Sequence, residues 1–372
     1  MRLFNKNILL ALALLAVAQG CEKEPAGPKD TGVPIMLSAT ESGTKALLEN
    51  GTFSATKAML SANDGSFAKE GNRLVIYDYV DNSTEPYFVD QIGPDVQGNK
   101  YGYDEVWPFV HGPHQWTPGD HKFFGWLAKD ANFDNPDTEE DDESMTTEAF
   151  FALNDNSFNE ATKVLSIPAK EITKDTPQFD FMYSNIVTTK LQNSPVPLEF
   201  KHLFTAVSFG IKNESSAEIE LIQVKVMFYT NQSASINYGV DGIPKYTVNY
   251  TPFVFATAYN EGNNLVTLGV SGSNTSSLNN IINLSDNKTY YLSWPQTADK
   301  LRDCYIYMEY NKKYSNSTTR LTPTISFPTN LGELEPGKKY HINITIQERA
   351  DVTIKYLVSD WSTNNVTVPE FN

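Results

Sequence analysis

Cysteine is almost missing from this sequence, with two among 372 residues, at positions 21 and 304. So few cannot form a disulfide framework, and their positions argue against a single bridge. Basic residues are also short: 29 Lys and Arg stand against 45 Asp and Glu, a net charge of −16. Binding phosphate needs a basic face, so a nucleic-acid partner is excluded. Sustained helical periodicity is nearly absent, and no stretch approaches the roughly 18 apolar residues of a membrane-spanning helix. No repeat of 20–50 residues is visible, which removes solenoids and propellers. A nucleophile elbow, a phosphate-binding glycine loop and HExxH are all lacking. The sequence thus gives no reason to expect an enzyme, a cofactor or a metal.

Apolar and aromatic residues are plentiful. They include 19 Tyr, 21 Phe and 5 Trp, enough for a packed core and too many for a disordered chain. Period-two alternation dominates. Tyr340, Ile342, Ile344 and Ile346 fall on one face, with His341, Asn343, Thr345 and Gln347 on the other. Leu203, Thr205, Val207, Phe209 and Ile211 behave alike, as do Ile222, Val224, Val226 and Phe228, and Val352, Ile354, Tyr356 and Val358. Shorter runs lie at Leu74 to Val80 and Tyr290 to Trp294. Turn signals at Asp64-Gly65, Gly93-Pro94, Asp241-Gly242 and Glu335-Pro336-Gly337 separate such runs. A short helix is expected only at Thr146 to Leu153. Many short strands with frequent turns predict an all-β protein of β-sandwiches. Length suggests two domains, and the polar, glycine-bearing stretch Thr230 to Lys245 places a division near residue 230, with Ser194 to Pro197 as the competing position.

The first residues form an address. Arg2 and Lys6 precede the apolar run Ile8 to Val17, and small or polar residues lead to Cys21, the layout of a signal peptide over 1–20. Its removal leaves −18, since it carries two positive charges and no negative ones. The junction Ala18-Gln19-Gly20-Cys21 resembles a bacterial lipobox, although such boxes prefer Leu where Ala18 stands. The resemblance implies acylation of Cys21, with residues 21–32 as a flexible tether rich in charge, Pro and Gly. Cys21-Glu22-Lys23-Glu24 also resembles signals that send lipoproteins to the outer face of some Gram-negative outer membranes. Cys304, in an alternating run, reads as a buried structural thiol, because a nucleophile would want an adjacent base.

Other clusters have ordinary readings. His111, His114 and His121 lie close together, but Gly112, Pro113, Pro118 and Gly119 make a turn-rich connection rather than a zinc scaffold, so these read as loop histidines. The acidic stretch Asp134 to Glu143 lacks the ligand spacing of a calcium loop. Trp107, Trp116 and Trp126 offer flat faces on which sugars stack; packing into a core is the favoured alternative for Trp116 and Trp126.

Several phrases, in order, resemble the fimbrillin-like surface proteins of Gram-negative anaerobes. They are Val33 to Ala39, Gly43-Thr44-Lys45-Ala46, Phe67 to Tyr77, Asp180 to Ser184, Phe200 to Val207, Tyr290 to Pro295, Leu334 to Tyr340 and Asp360-Trp361. The resemblance implies two tandem transthyretin-like β-sandwich domains, 33–230 and 231–372. It also implies a lipid-anchored fimbrial subunit, or an accessory anchor or tip adhesin, at the outer-membrane surface. Its partners would be other fimbrial subunits, a host or bacterial surface ligand, and membrane lipid through Cys21. Assembly in that family proceeds by donor strands: a protease cuts after a basic residue near the first strand, and a neighbour's strand fills the groove left behind. Lys45 is the matching residue, where the family commonly shows Arg, and Lys57 is a second candidate. The tail offers Val366, Val368 and Phe371, either as a donor strand or as the closing strand of its own domain. Two rival readings are a surface glycan-binding lipoprotein of a carbohydrate-uptake system and a secreted hydrolase with two converging carboxylates.

Overall fold

The computed structural model describes residues 31–41, 58–59, 65–66, 73–92, 109–128, 157–173, 181–251, 255–260, 265–270, 281–283, 290–349 and 351–360. Strands, numbered in chain order, account for nearly all of its regular structure, so the fold is all-β. A seven-stranded sheet runs β1 (Leu37–Glu41), β11 (Val196–His202), β9 (Met182–Ser184), β6 (His121–Ala128), β4 (Arg73–Val80), β5 (Phe88–Ile92). In it, β10 (Val187–Thr189) also pairs with β6. A four-stranded sheet runs β15 (Lys245–Tyr250), β14 (Asn231–Asn237), β8 (Val164–Glu171), β7 (Phe158–Asn159). A five-stranded sheet runs β18 (Ile281–Asn283), β12 (Thr205–Asn213), β23 (Lys338–Ile346), β24 (Val352–Asp360), with β19 (Tyr291–Ser293) added to β12. A six-stranded sheet runs β16 (Phe255–Asn260), β13 (Glu218–Phe228), β20 (Tyr305–Tyr314), β21 (Ser317–Leu321). In that sheet β17 (Val266–Leu268) pairs with β13, and β22 (Thr324–Ser326) with β20. The short strands β2 (Ala58–Met59) and β3 (Gly65–Ser66) pair with each other.

Alternation explains how the sheets pack. In β4 and β6 both faces are apolar, so the seven-stranded sheet is buried on two sides. Tyr79, Phe124 and Trp126 point into a core shared with Leu165 and Ile167 of β8 and Ala234 and Ile236 of β14. On the other face Leu74, Ile76, Phe123 and Leu127 meet Val196, Leu198 and Phe200 of β11 under Trp116. Rings stack across the first face: Tyr77 sits opposite Phe124 in register, with centroids 5.7 Å apart, and Phe124 lies 4.3 Å from Tyr238. Gly125 is required where β6 crosses β4, because an added Cβ would lie 2.2 Å from the Val75 carbonyl oxygen. Its own carbonyl accepts the Tyr238 hydroxyl at 3.0 Å.

The other pair of sheets shares an aliphatic core. Val207, Phe209 and Ile211 of β12 and Tyr340, Ile342, Ile344 and Ile346 of β23 pack on Leu221, Val224 and Val226 of β13 and Ile306 and Met308 of β20. The β12–β23 pairing is parallel. The chain changes core abruptly: Ala206 belongs to the first and Val207 to the second. It changes again between β13 and β14, separated only by Tyr229 and Thr230.

The alternation of β13 slips by one. Leu221 is buried and Ile222 only half-buried, because a β-bulge falls between Leu221 and Gln223. Ile222 therefore does not share a face with Val224, Val226 and Phe228, contrary to the uninterrupted alternation. Gly242 and Gly337 carry positive φ of 78° and 71° where turns are predicted. The turn signal at Gly93-Pro94 and the helix at 146–153 lie outside the described residues. A four-residue helix, α1 (Ala298–Leu301), forms where no helical periodicity is present.

Candidate functional site

The first strand has an unusual seat. β1 is the terminal strand of its sheet and pairs in parallel with β11, from Leu37 opposite Val196 to Glu41 opposite Phe200. Just before it, residues 31–35 bond to the connection that precedes β6. The amides of Thr31 and Ile35 donate to the carbonyls of Trp116 (2.9 Å) and His114 (2.8 Å). The Trp116 amide donates back to Val33, and the Thr31 hydroxyl adds a 2.6 Å bond to the Trp116 carbonyl. Residues 31–41 thus lie between β11 and the 114–116 connection. Parallel strands cannot be joined by a tight turn, so this segment is added to the sheet from a separate part of the chain.

Apolar contacts hold it down. Ile35 is 3% exposed and Leu37 fully buried, on a floor of Trp116, Val196, Leu198 and Phe200. Burying a side chain of this size contributes roughly 1.5–3 kcal/mol.

Two carboxylates fix the wall of the seat. Asp90, in the middle of β5 opposite Ile76 and with its side chain wholly buried, accepts the Gln91 amide at 2.7 Å and bonds His111 Nδ1 and His114 Nε2 at 2.7 Å each. Burial pushes its carboxyl up, but the bonds from His114, His111 and Gln91 outweigh it and hold its pKa below the usual carboxylate value. His114 in turn stacks on Phe88, with centroids 3.9 Å apart. Asp78 bonds His121 Nδ1 at 2.6 Å, both side chains being fully buried, and His121 Nε2 lies 3.0 Å from the Thr117 carbonyl. Burial pushes Asp78 up to about 6 against the lowering effect of His121. Burial would lower His121, and Asp78 reverses that and raises it. Each pair ties the 109–121 connection to β4 or β5, so the wall that receives residues 31–35 is held by buried charge.

The three histidines are therefore partners of Asp90 and Asp78. Sequence reasoning left them unpaired because the carboxylates lie 21 to 43 positions away. Among the described residues, no group of three or more His, Cys, Asp or Glu is placed to hold a metal ion. Trp116 and Trp126 are buried, so neither offers a face for stacking sugar. Cys304 is 1% exposed, its thiol donates to the Lys300 carbonyl at 3.3 Å, and burial pushes it up to about 12. That is an inert, packed thiol. Cys21, Lys45, Lys57, Trp107, Val366, Val368 and Phe371 lie outside the described residues. Lys45 follows the end of β1 in sequence, and the tail follows β24, the last strand of its sheet, where Leu357 and Val358 are exposed. Among the described residues no helix is long and apolar enough to cross a membrane.

A family model described as fimbrillin-like matches residues 140–361. No curated protein matches significantly. Among solved structures the chain is similar to a protein assigned to cell adhesion from Bacteroides uniformis, at 14% identity and a TM-score of 0.42, covering 88% of this chain and 99% of that one. A second one from Parabacteroides distasonis gives 11% identity and a TM-score of 0.46, covering 90% and 98%. A fimbrial assembly protein from the same species gives 12% and 0.33, covering 79% and 91%.

Proposed function

Because the chain belongs to the fimbrillin-like family, we propose that it is a fimbrial subunit or accessory (anchor or tip) adhesin. In this reading it is held at the outer-membrane surface by acyl chains on Cys21 and joins other subunits by β-strand complementation. The work is assembly and adhesion rather than catalysis.

One observation supports the reading: residues 31–41 form an edge strand, parallel to β11, that comes from a separate part of the chain. Ile35 and Leu37 enter the floor, and the backbone bonds run to β11 and to the 114–116 connection. A cut after Lys45 or Lys57 falls downstream of β1. It leaves the segment attached by contacts alone. Departure of the segment bares one edge of β11 and an apolar floor, and an unpaired strand edge beside apolar pockets recruits another strand. Val366, Val368 and Phe371 give the tail apolar residues to insert, while Pro369 removes one ladder donor. The same tail closing its own domain describes an anchor or tip subunit. Two sandwich units complete the proposal, one around the core of β4, β6, β8 and β14 and one around the core of β12, β13, β20 and β23.

The test is the N-terminal residue of protein taken from intact cell surfaces, with palmitate labelling alongside. Acylated Cys21 indicates a retained anchor, and a new terminus at Ala46 or Ala58 indicates processing for polymerisation. Labelling unchanged in Cys21→Ser contradicts the lipid anchor.

A further inference from the structure

On the face of the seven-stranded sheet opposite Trp116, a cavity of about 210 Å³ opens to solvent. Tyr79, Asn82, Lys122, Thr162, Lys163 and Gly239 line it. They come from the end of β4, the turn after it, the start of β6, the turn before β8 and the residues after β14.

Two ammonium groups share this space in a chain where acidic residues outnumber basic ones by 45 to 29. Lys122 donates to the Val240 carbonyl at 2.9 Å and reaches Asp241 at 3.4 Å. Lys163 donates to the Ser83 carbonyl at 3.2 Å and lies 4.3 Å over the Tyr79 ring. Each ammonium has three donors, so each keeps at least one for a ligand. Burial, and then the charge of Lys122, lower the pKa of Lys163, the mark of a cation lacking sufficient counter-charge. Among the described residues no carboxylate forms an ion pair with Lys163, although the charge of Glu160 reaches the neighbouring Tyr79. Asp241 is 99% exposed at its side chain, and Asp81 accepts the Asp120 amide at 2.8 Å.

A second, independent observation comes from Tyr79. It is 1% exposed, and its hydroxyl has no hydrogen-bond partner in the protein. A buried polar group left unpaired is costly and calls for an explanation. Among the described residues, the non-glycine positions with positive φ are Asp81, Asn82 and Lys163, all at or beside this cavity. Such backbone strain gathers at binding sites.

We propose that this cavity binds one anionic oxygen group, a carboxylate or sulfate, with Lys122 and Lys163 supplying the charge and the Tyr79 hydroxyl and Asn82 amide the directional bonds. The volume takes one such group, and the open side leaves the rest of the molecule that carries it in solvent. The site is distinct from the seat of β1, so strand assembly and anion binding stand or fall separately.

The experiment is an NMR titration of the mature chain at low ionic strength with galactose 6-sulfate, galacturonate, galactose and inorganic sulfate. The two acidic sugars are expected to bind, galactose at least tenfold more weakly, and Lys163→Gln to weaken the acidic sugars at least tenfold. Tyr79→Phe is expected to weaken them several-fold without lowering the melting temperature. Competition by inorganic sulfate at equal affinity identifies a free oxyanion as the ligand; its failure to compete identifies the acidic sugar. Absence of binding by every anionic probe overturns the proposal. So does unchanged affinity in a folded Lys122→Gln/Lys163→Gln variant. Should that variant not fold, an undisturbed Lys163 side-chain signal during titration of the wild-type chain overturns it equally.

Discussion

The core beneath Trp116 and the core around Ile342 are both apolar but are closed in different ways. Around Ile342, long neighbouring ladders do the closing: β12 on β23, β23 on β24 and β13 on β20 each run in continuous or once-bulged register. Its buried cation, Lys312, is satisfied locally by the Gln347 and Glu348 carbonyls at 3.0 and 2.6 Å. Beneath Trp116 the closing pieces are a separate parallel strand and a turn-rich connection, pinned by Asp90 and Asp78. In the first, β12, β23, β13 and β20 are each paired on both sides. In the second the closing strand is an edge strand, and the ladders between β4, β6, β9 and β11 do not run through it. Strand exchange as proposed above would use the second kind of closure and leave the first intact.

The largest expected effect breaks both faces of the first sheet together. Gly125→Val places side-chain atoms against the Val75 carbonyl. It is expected to cost more than about 4 kcal/mol, seen in calorimetry as loss of the transition that melts that sheet. Next comes a paired test of the two closures. Ile342→Ala and Leu37→Ala each remove a buried side chain, with an expected cost of about 2–5 kcal/mol. The Ile342 change should lower the global melting temperature. The Leu37 change should chiefly speed hydrogen exchange over residues 31–41, and equal global effects would erase the contrast.

A smaller effect is expected at Asp90. Asp90→Asn weakens the hold of His111 and His114 on the wall, at about 1–3 kcal/mol, and should loosen 31–35 before anything else. Its pH signature has a definite sign. Asp90 titrates below its ordinary value of 3.8 in the folded chain, so its contribution is complete above that value and is lost as pH falls through the folded pKa. Wild-type protein should release residues 31–35 on acidification below about 4, and Asp90→Asn should show a flatter dependence in that range. The smallest effect belongs to the surface pair of Arg320 and Glu309. Arg320→Ala should change stability by less than about 1 kcal/mol, and a larger loss would mean that the β20–β21 edge carries more of the Ile342 core than its packing suggests.

The Ile342 core was largely legible in the sequence. Tyr340 to Ile346 alternate cleanly and fall in β23, and Val207, Phe209 and Ile211 fall in β12. The break came at Ile222, because a bulge inserts a residue without any change in composition. The seat beneath Trp116 was legible only in pieces. Val33 to Ala39 stood out as a family phrase, yet its parallel pairing with β11 joins residues some 160 positions apart, a separation no local pattern encodes. The same distance hid the histidine partners. His121 opens β6 and looked like one of a loop cluster, while Asp78 was one polar residue in an apolar strand. An aspartate inside an otherwise hydrophobic alternation was the available signal, since a buried carboxylate must find a donor.

The most direct measurement locks the first strand in place. Ser38 and Pro197 face each other in the parallel register of β1 and β11, so Ser38→Cys with Pro197→Cys sets two thiols within reach of a disulfide. Assembly after cleavage with a lysine-specific protease is then followed by light scattering, oxidised against reduced. Oxidised protein that stays monomeric and polymerises once reduced is the predicted result. Polymers of equal size and rate from the locked and unlocked forms would contradict strand exchange at this seat.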